Sequence, residues 1–241
     1  MKKQLNLIPT NYLKNLLPTR RKKRQEILLT SFLDLTKQIL ESTSYTTKQK
    51  EIHLFYILNL LVNDIQTSTV EKVLIDSSFN LYHLEQGLPN TNFCPHCMAK
   101  TFKLIKKEHV IPVNLKTYPI ISPPWNKKRL LSNFQTIGTD VNNPFVHDTN
   151  NHFSVNYLYP LGIFFNENGR HSVSTGIIKK EGTIYTTQKI DLSNAYKHYH
   201  FNGTFFIHKK CNYPISEPFH YKMGIIYEIG RLLLANHITF Y

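Results

Sequence analysis

Cys94 and Cys97 stand two residues apart in Asn92-Phe93-Cys94-Pro95-His96-Cys97, and His208-Lys209-Lys210-Cys211 repeats the gap. A structural zinc ion asks for four Cys or His ligands, usually supplied as two such pairs. Cys94, Cys97, His208 and Cys211 would complete that set and use every cysteine in the chain. Residues 98–207 separate the pairs, so only the fold can bring them together. The alternative is three reduced thiols packed as small apolar groups.

The same spacing suits a dithiol redox pair, which wants a strand before it and a helix after it to lower the pKa of the first thiol. A helix is expected over 98–107, but Gly87-Leu88-Pro89-Asn90 reads as a loop. The six-residue string resembles the active-site motif of the thioredoxin-fold disulfide oxidoreductases, a resemblance that implies disulfide exchange. No later βαββα pattern with its cis-proline accompanies it.

A second constellation surrounds Gly169. The apolar run 160–165 leads into Asn166-Glu167-Asn168-Gly169-Arg170-His171-Ser172, followed by a helix-sized stretch, 172–180. Free N–H groups and the positive dipole end at a helix start favour an anion. Gly169 lets the backbone approach it closely, and Arg170 adds a planar fork for phosphate. The plainer reading is a β-turn with Ser172 as N-cap. His147-Asp148-Thr149-Asn150-Asn151-His152 precedes the same strand, and if that loop folds toward the turn, Asp148, His152 and His171 form a metal-assisted phosphodiesterase site holding Mg²⁺ or Mn²⁺. Asn, Asp and His are equally ordinary loop residues. Asp148 and Glu167 followed by Lys179 leave room for a degenerate PD-(D/E)xK nuclease. Neither a Walker loop nor a serine nucleophile elbow is present.

The third feature is electrostatic. Against 16 acidic residues stand 29 Lys and Arg, a formal charge of +13, with 12 His besides. Residues 1–25 hold eight of the cations and no carboxylate, including the run Arg20-Arg21-Lys22-Lys23-Arg24. Five cations at a helix start oppose the helix dipole, a cost that a phosphate backbone or solvent relieves. Phosphate contacts position a protein without reading base sequence.

Taken in order, the strand 109–113, the Pro123-Pro124-Trp125-Asn126-Lys127-Lys128-Arg129 segment, a further strand, the Gly-Arg-His-Ser turn and a helix resemble the ParB/sulfiredoxin-like fold over residues 109–205. The resemblance implies that Gly169, Arg170 and His171 contact nucleotide or nucleic-acid phosphates, with Arg129 as a second cation. Ser172 stands where that motif usually has an arginine, and the turn has no cysteine, which excludes sulfiredoxin chemistry by analogy. The chain also resembles small uncharacterised bacterial proteins carried near mobile or defence genes.

These residues must be positioned by a chain of 241 residues, 41% hydrophobic and 19% charged, which excludes collagen-like and most disordered classes. No apolar run reaches the roughly 20 residues a membrane span needs. The N-terminus breaks its apolar stretch too early for a signal peptide, and three cysteines fit a reducing compartment, so a cytoplasmic location is expected. All nine glycines lie at or beyond Gly87. Before it, Leu28, Phe32, Leu35 and Ile39 mark a helix from Thr19 to about Ser42. Ile52, Phe55, Leu58, Leu61 and Ile65 mark a second over 46–66, opened by a Thr46/Gln49 capping box. Ser68 and Glu71 suggest a third, short helix. Beyond it, β-like runs fall at 109–115, 155–165, 183–190 and 204–208, and a closing helix at 218–236.

The expected fold is α+β, an N-terminal helical bundle (1–85) followed by a small mixed sheet with flanking helices (86–241). The helical part either packs on this core or forms a homodimer. The leading expectation is a protein that binds nucleic-acid or nucleotide phosphates through residues 169–172 and 20–24, with nuclease activity in phage defence as its enzymatic extension. The alternative is a non-enzymatic protein-interaction module held by structural zinc.

Overall fold

The computed structural model describes residues 20–76, 87–89, 94–99 and 105–241. The N-terminal stretch 1–19, with Lys2, Lys3 and Lys14, lies outside the described residues. Two long helices come first, α1 (Arg20–Glu41) and α2 (Thr47–Ile75). The capping box forms as the spacing predicts, with the Gln49 N–H donating to Thr46 Oγ1 and the Thr46 N–H donating to Gln49 Oε1. Lys50 Nζ reaches the Leu40 carbonyl and satisfies an orphan acceptor at the end of α1.

The short third helix does not exist as a separate element. Ser68 and Thr69 donate back to the Ile65 and Gln66 carbonyls, so α2 runs through the expected break. The buried stripes keep Ile39, Leu58, Leu61 and Ile65 of the expected apolar pattern but not all of it. Leu54 and Thr36 are fully buried, while Ile52 and Leu35 are 44% and 41% exposed.

Five strands form a mixed sheet: β1 (Ile105–Glu108), β3 (Ile120–Ile121), β4 (Val155–Tyr159), β5 (Ile163–Asn166) and β7 (Gln188–Asp191), in the order β1-β7-β4-β5-β3. The run 155–165 is therefore a hairpin rather than one strand, because Pro160 and the left-handed Gly162 turn the chain. β2 (Pro112–Asn114) pairs with β6 (Thr183–Tyr185). The expected helix over 98–107 is not formed where the chain is described: 105–107 is strand β1, and 100–104 lies outside the described residues.

Side chains alternate across the sheet and fill a core on each face. Ile121, Leu158, Ile163 and Phe165 join α1, α2 and the closing helix α6 (Tyr221–Ala235) in the larger core. Ile120, Val155, Tyr157 and Phe164 join Val173 of α4 (Arg170–Lys179) in the other. The N-terminal helices thus pack on the sheet, and the α+β class is as expected.

Two further pieces position the sites. α3 (Lys127–Thr136) begins at Asn126, whose Oδ1 accepts from the Arg129 N–H, and it leans on α2 through Leu130, Val70 and Val73. A three-stranded antiparallel sheet, β8 (Tyr199–Phe201), β9 (Phe206–His208) and β10 (Tyr213–Ser216), follows the one-turn helix α5 (Ala195–His198). It is tied to α6 by Arg231, which donates to the Tyr196 and Tyr199 carbonyls and pairs with buried Glu228 at 2.7 Å. Among the described residues no helix is long and apolar enough to cross a membrane.

Candidate metal centre and anion cleft

The fold brings the two distant pairs together. Cys94, Cys97, His208 and Cys211 place one ligand atom each within 4.8 Å of the others, so these four side chains can hold a metal ion. The first pair sits on a tight turn closed by Met98 N–H to the Cys94 carbonyl and Cys94 N–H to the Ala99 carbonyl. The second sits at the tip of the β9–β10 hairpin, where Tyr213 pairs with His208. Cys94 Sγ lies 3.6 Å from Cys211 Sγ, Cys97 Sγ 3.8 Å from His208 Nδ1, and Cys211 Sγ 3.2 Å from the same nitrogen. Burial raises the Cys94 thiol pKa, but backbone hydrogen bonds from Cys97 and His96 and contacts with the other thiols outweigh it, and the net shift is downward. Cys211 is pushed up by burial. Cys94 is therefore readier than Cys211 to deprotonate and ligate.

The second site is a cleft of about 650 Å³ between α3, α4 and the loop 146–152. Six of the residues singled out in the sequence line it: Arg129, Asp148, His152, Gly169, His171 and Ser172. The α4 helix begins at Arg170, with left-handed Gly169 (φ 63°) as its N-cap; Ser172 lies inside the first turn and is not the cap. Ser172 Oγ donates to the Gly169 carbonyl and meets His152 Nε2 at 2.9 Å. His152 Nδ1 accepts from the Asp148 backbone N–H, which places the ring proton on Nε2, facing Ser172. His171 Nε2 accepts from the Asn126 N–H at 3.0 Å, leaving its proton on Nδ1. Burial, with positive neighbours Arg129 and Arg170, lowers the His171 pKa to about 4. Burial lowers His152 to about 4 as well, with His147 adding to the shift and Asp148 opposing it. Both rings are neutral at pH 7.

That arrangement departs from three expectations. The imidazoles are not presented as ligands for Mg²⁺ or Mn²⁺: each gives one nitrogen to a backbone N–H, and the other His152 nitrogen meets Ser172. The Asp148 carboxylate, for its part, closes its own loop on the Asn150 N–H and the Asn151 amide, which lowers its pKa. Asp148, His152 and His171 share the cleft but form no metal-holding group among the described residues. Arg170 is not the phosphate fork either, because it is buried and its Nε donates to the Glu167 carbonyl. The degenerate nuclease triad is also dispersed, with Glu167 accepting from Ser154 and Lys179 paired with Asp140 at 2.7 Å.

Sequence reasoning missed Ser132 and Asn133 and gave Lys128 no role, though all three line the cleft from α3. The signal was present in Asn126 after two prolines, a good N-cap before a helix-forming run. It also missed Gln66, which reaches from α2 to the Ser122 backbone and to Ser174 Oγ and so fixes α4 against the approach to α3. The basic segment goes elsewhere. Arg20, Lys22, Lys23 and Arg24 are exposed at the start of α1, Lys22 and Arg24 line a different cavity, and the side chain of Arg21 lies outside the described residues.

Gly169 is the tightest point of the cleft. A Cβ there would lie 2.4 Å from His152 Cδ2 and 2.6 Å from the Asn151 carbonyl, in a left-handed backbone that itself costs an L-residue about 1–2 kcal/mol. Gly169→Ala is expected to destabilise the chain by at least that amount in urea unfolding and to displace the loop 148–152; an unchanged midpoint would refute the close approach.

No curated protein and no solved structure matches the chain. A helix-start turn beside two cations and a Cys₃His cluster lie within one stretch, and residues 14–240 match the model described as a family of unknown function, DUF6710, to which this chain belongs.

Proposed function

We propose that the protein binds the phosphate groups of a nucleic acid or nucleotide in the cleft between α3 and α4. The observation that carries this reading is the convergence of Lys128, Arg129 and the amino end of α4 on one cavity. Helix N–H groups and a guanidinium are the ordinary means of holding phosphate. Arg129 also stacks on Trp125, with its guanidinium carbon 5.1 Å from the ring centre, which fixes its direction. The turn that resembles the ParB-like phosphate motif forms one wall, with Arg129 in the place first expected of Arg170. Binding is better supported than hydrolysis, since the two imidazoles are neutral and already hydrogen-bonded.

The test is to incubate the protein with labelled single- and double-stranded DNA and RNA, with Mg²⁺ or Mn²⁺ and with EDTA, reading shift and cleavage over a salt series. Salt-sensitive binding is expected. Arg129→Ala should weaken it about tenfold and reduce the salt slope by about 1, as loss of one phosphate contact does. Binding unaffected by Arg129→Ala removes the cleft from the reading, and metal-dependent cleavage would restore the nuclease extension.

We infer further that Cys94, Cys97, His208 and Cys211 hold a structural zinc. Metal–sulfur bonds of about 2.3 Å in a tetrahedron put sulfurs about 3.8 Å apart, close to the spacings seen here, and four protein ligands leave no open position for a substrate. The ion would fasten residues 94–99 to the hairpin that Arg231 ties to α6. This supports the second reading, a braced scaffold for an acidic protein partner, if no nucleic acid binds.

A further inference from the structure

One face of α2 is buried in the core, and the opposite face carries apolar side chains into solvent. Leu54, Leu58, Leu61 and Ile65 are buried, whereas Ile52, Tyr56 and Leu60 are 44%, 65% and 64% exposed. Side chains four residues apart form a continuous ridge on a helix, here about 12 Å long from 52 to 60. A contiguous apolar patch on a folded surface marks a contact site, which a single exposed side chain does not. At 3.6 residues per turn positions 49, 53, 59 and 63 share this face with the ridge, and none of the seven is Lys, Arg, Asp or Glu. Beside the ridge lies a groove of about 350 Å³ between α2 and residues 239–240, walled by Ile52, Phe55, Tyr56 and Phe240.

Charge decides what can cover this face. The chain carries +13, so an acidic partner would settle on its lysines and arginines, and two copies would repel one another wherever basic surfaces met. Here an acidic partner finds no cation and a second copy meets no repulsion. The ends of the ridge are also complementary in sign. Lys48 stands one turn before Ile52 and Asp64 one turn after Leu60, with 78% and 49% of their side-chain surface in solvent. Each has a counter-ion of its own, Glu51 at 3.2 Å and Lys222 at 2.7 Å, so neither end brings an unbalanced charge to the contact. A two-fold axis matches residue i with j and j with i. With the axis beside Tyr56, antiparallel ridges set Lys48 toward the partner's Asp64 at both ends and Ile52, with its groove, toward the partner's Leu60. A parallel pair would set Lys48 against its own counterpart.

We propose that the exposed face of α2 is the interface of an antiparallel homodimer, with Tyr56 at the two-fold axis and Ile52 and Leu60 packed across it. The proposal depends neither on the phosphate cleft nor on the metal cluster.

Sedimentation velocity of the full chain, at loading concentrations from about 1 to 100 µM, should show a dimer in exchange with the monomer. Leu60→Asp should weaken dimerisation at least about tenfold, since the change acts twice across the axis. Under mild oxidation Tyr56→Cys should cross-link to itself above the wild-type background, and Ile52→Cys only when mixed with Leu60→Cys. Thermal melting of each variant separates loss of contact from loss of fold, and if Leu60→Asp does not fold the cysteine variants decide. A chain that stays monomeric at every concentration overturns the proposal and leaves the ridge to a different protein. A dimer unaffected by a folded Leu60→Asp overturns it too, and self-linking of Ile52→Cys overturns the antiparallel arrangement.

Discussion

Stripping metal from the purified protein should lower its melting temperature by roughly 8–16 °C. A ligand a thousandfold above its dissociation constant stabilises the folded state by about 4 kcal/mol, and one kcal/mol shifts the melting point of a chain this size by about 2–4 °C. Structural zinc sites reach about 10–16 kcal/mol in peptides that lack another core, which sets the upper limit. Here the larger core holds α1, α2, the sheet, α6 and the inner side chains of β8 and β9 together without the ion, so the loss should concentrate in residues 94–99 and the tip of the β9–β10 hairpin. Elemental analysis should find one zinc per chain, and Cys94→Ser should lose both the metal and hydrogen-exchange protection in that hairpin. No zinc, with melting unchanged by a chelator, would mean that the cysteines are packed thiols.

Acid should destabilise the chain through the anion cleft. His152 and His171 have pKa values lowered to about 4 in the folded state, against 6.5 for the free side chain. Between those values the unfolded chain binds protons that the folded chain refuses. Their stabilisation is therefore complete above pH 6.5 and is lost as pH falls toward 4. At about 1.4 kcal/mol per pKa unit each ring contributes ~3 kcal/mol. Protonation also costs His152 the hydrogen bond from the Asp148 N–H and His171 the one from the Asn126 N–H. Urea unfolding at pH 7 and pH 4.5 should show most of that loss. His152→Asn and His171→Gln should each flatten the dependence, and an identical slope in both variants would show that these rings do not titrate in this window.

The parts of this protein that were legible from sequence are those decided within a few residues. The Thr46/Gln49 capping box, the Gly169 turn into a helix and the Asn/Gly/Pro boundaries of the strands are local, because the chemistry of a cap or turn involves neighbours in the chain. Where local rules misled, tertiary packing had overridden them. Ser68 and Glu71 have the spacing of a helix start, yet α2 continues past them because Thr69, Val70 and Val73 are buried against the rest of the protein. Arg170 has the type and position of a phosphate ligand, but burial and the Glu167 carbonyl turn it inward.

By itself the sequence determined the α+β class, the excess of positive charge, the two pairs of candidate ligands and the residue types at the start of α4. Each of these follows from composition, periodicity or short spacing. Only the tertiary structure decided that the two pairs meet, since the approach of His208 and Cys211 to Cys94 and Cys97 depends on how the β9–β10 hairpin docks. It also decided that Lys128 and Arg129 line one cavity while Lys22 and Arg24 line another, and that burial lowers the pKa of the histidines of the cleft. Long-range proximity and burial are properties of the whole core, and a spacing rule that spans a few residues carries neither.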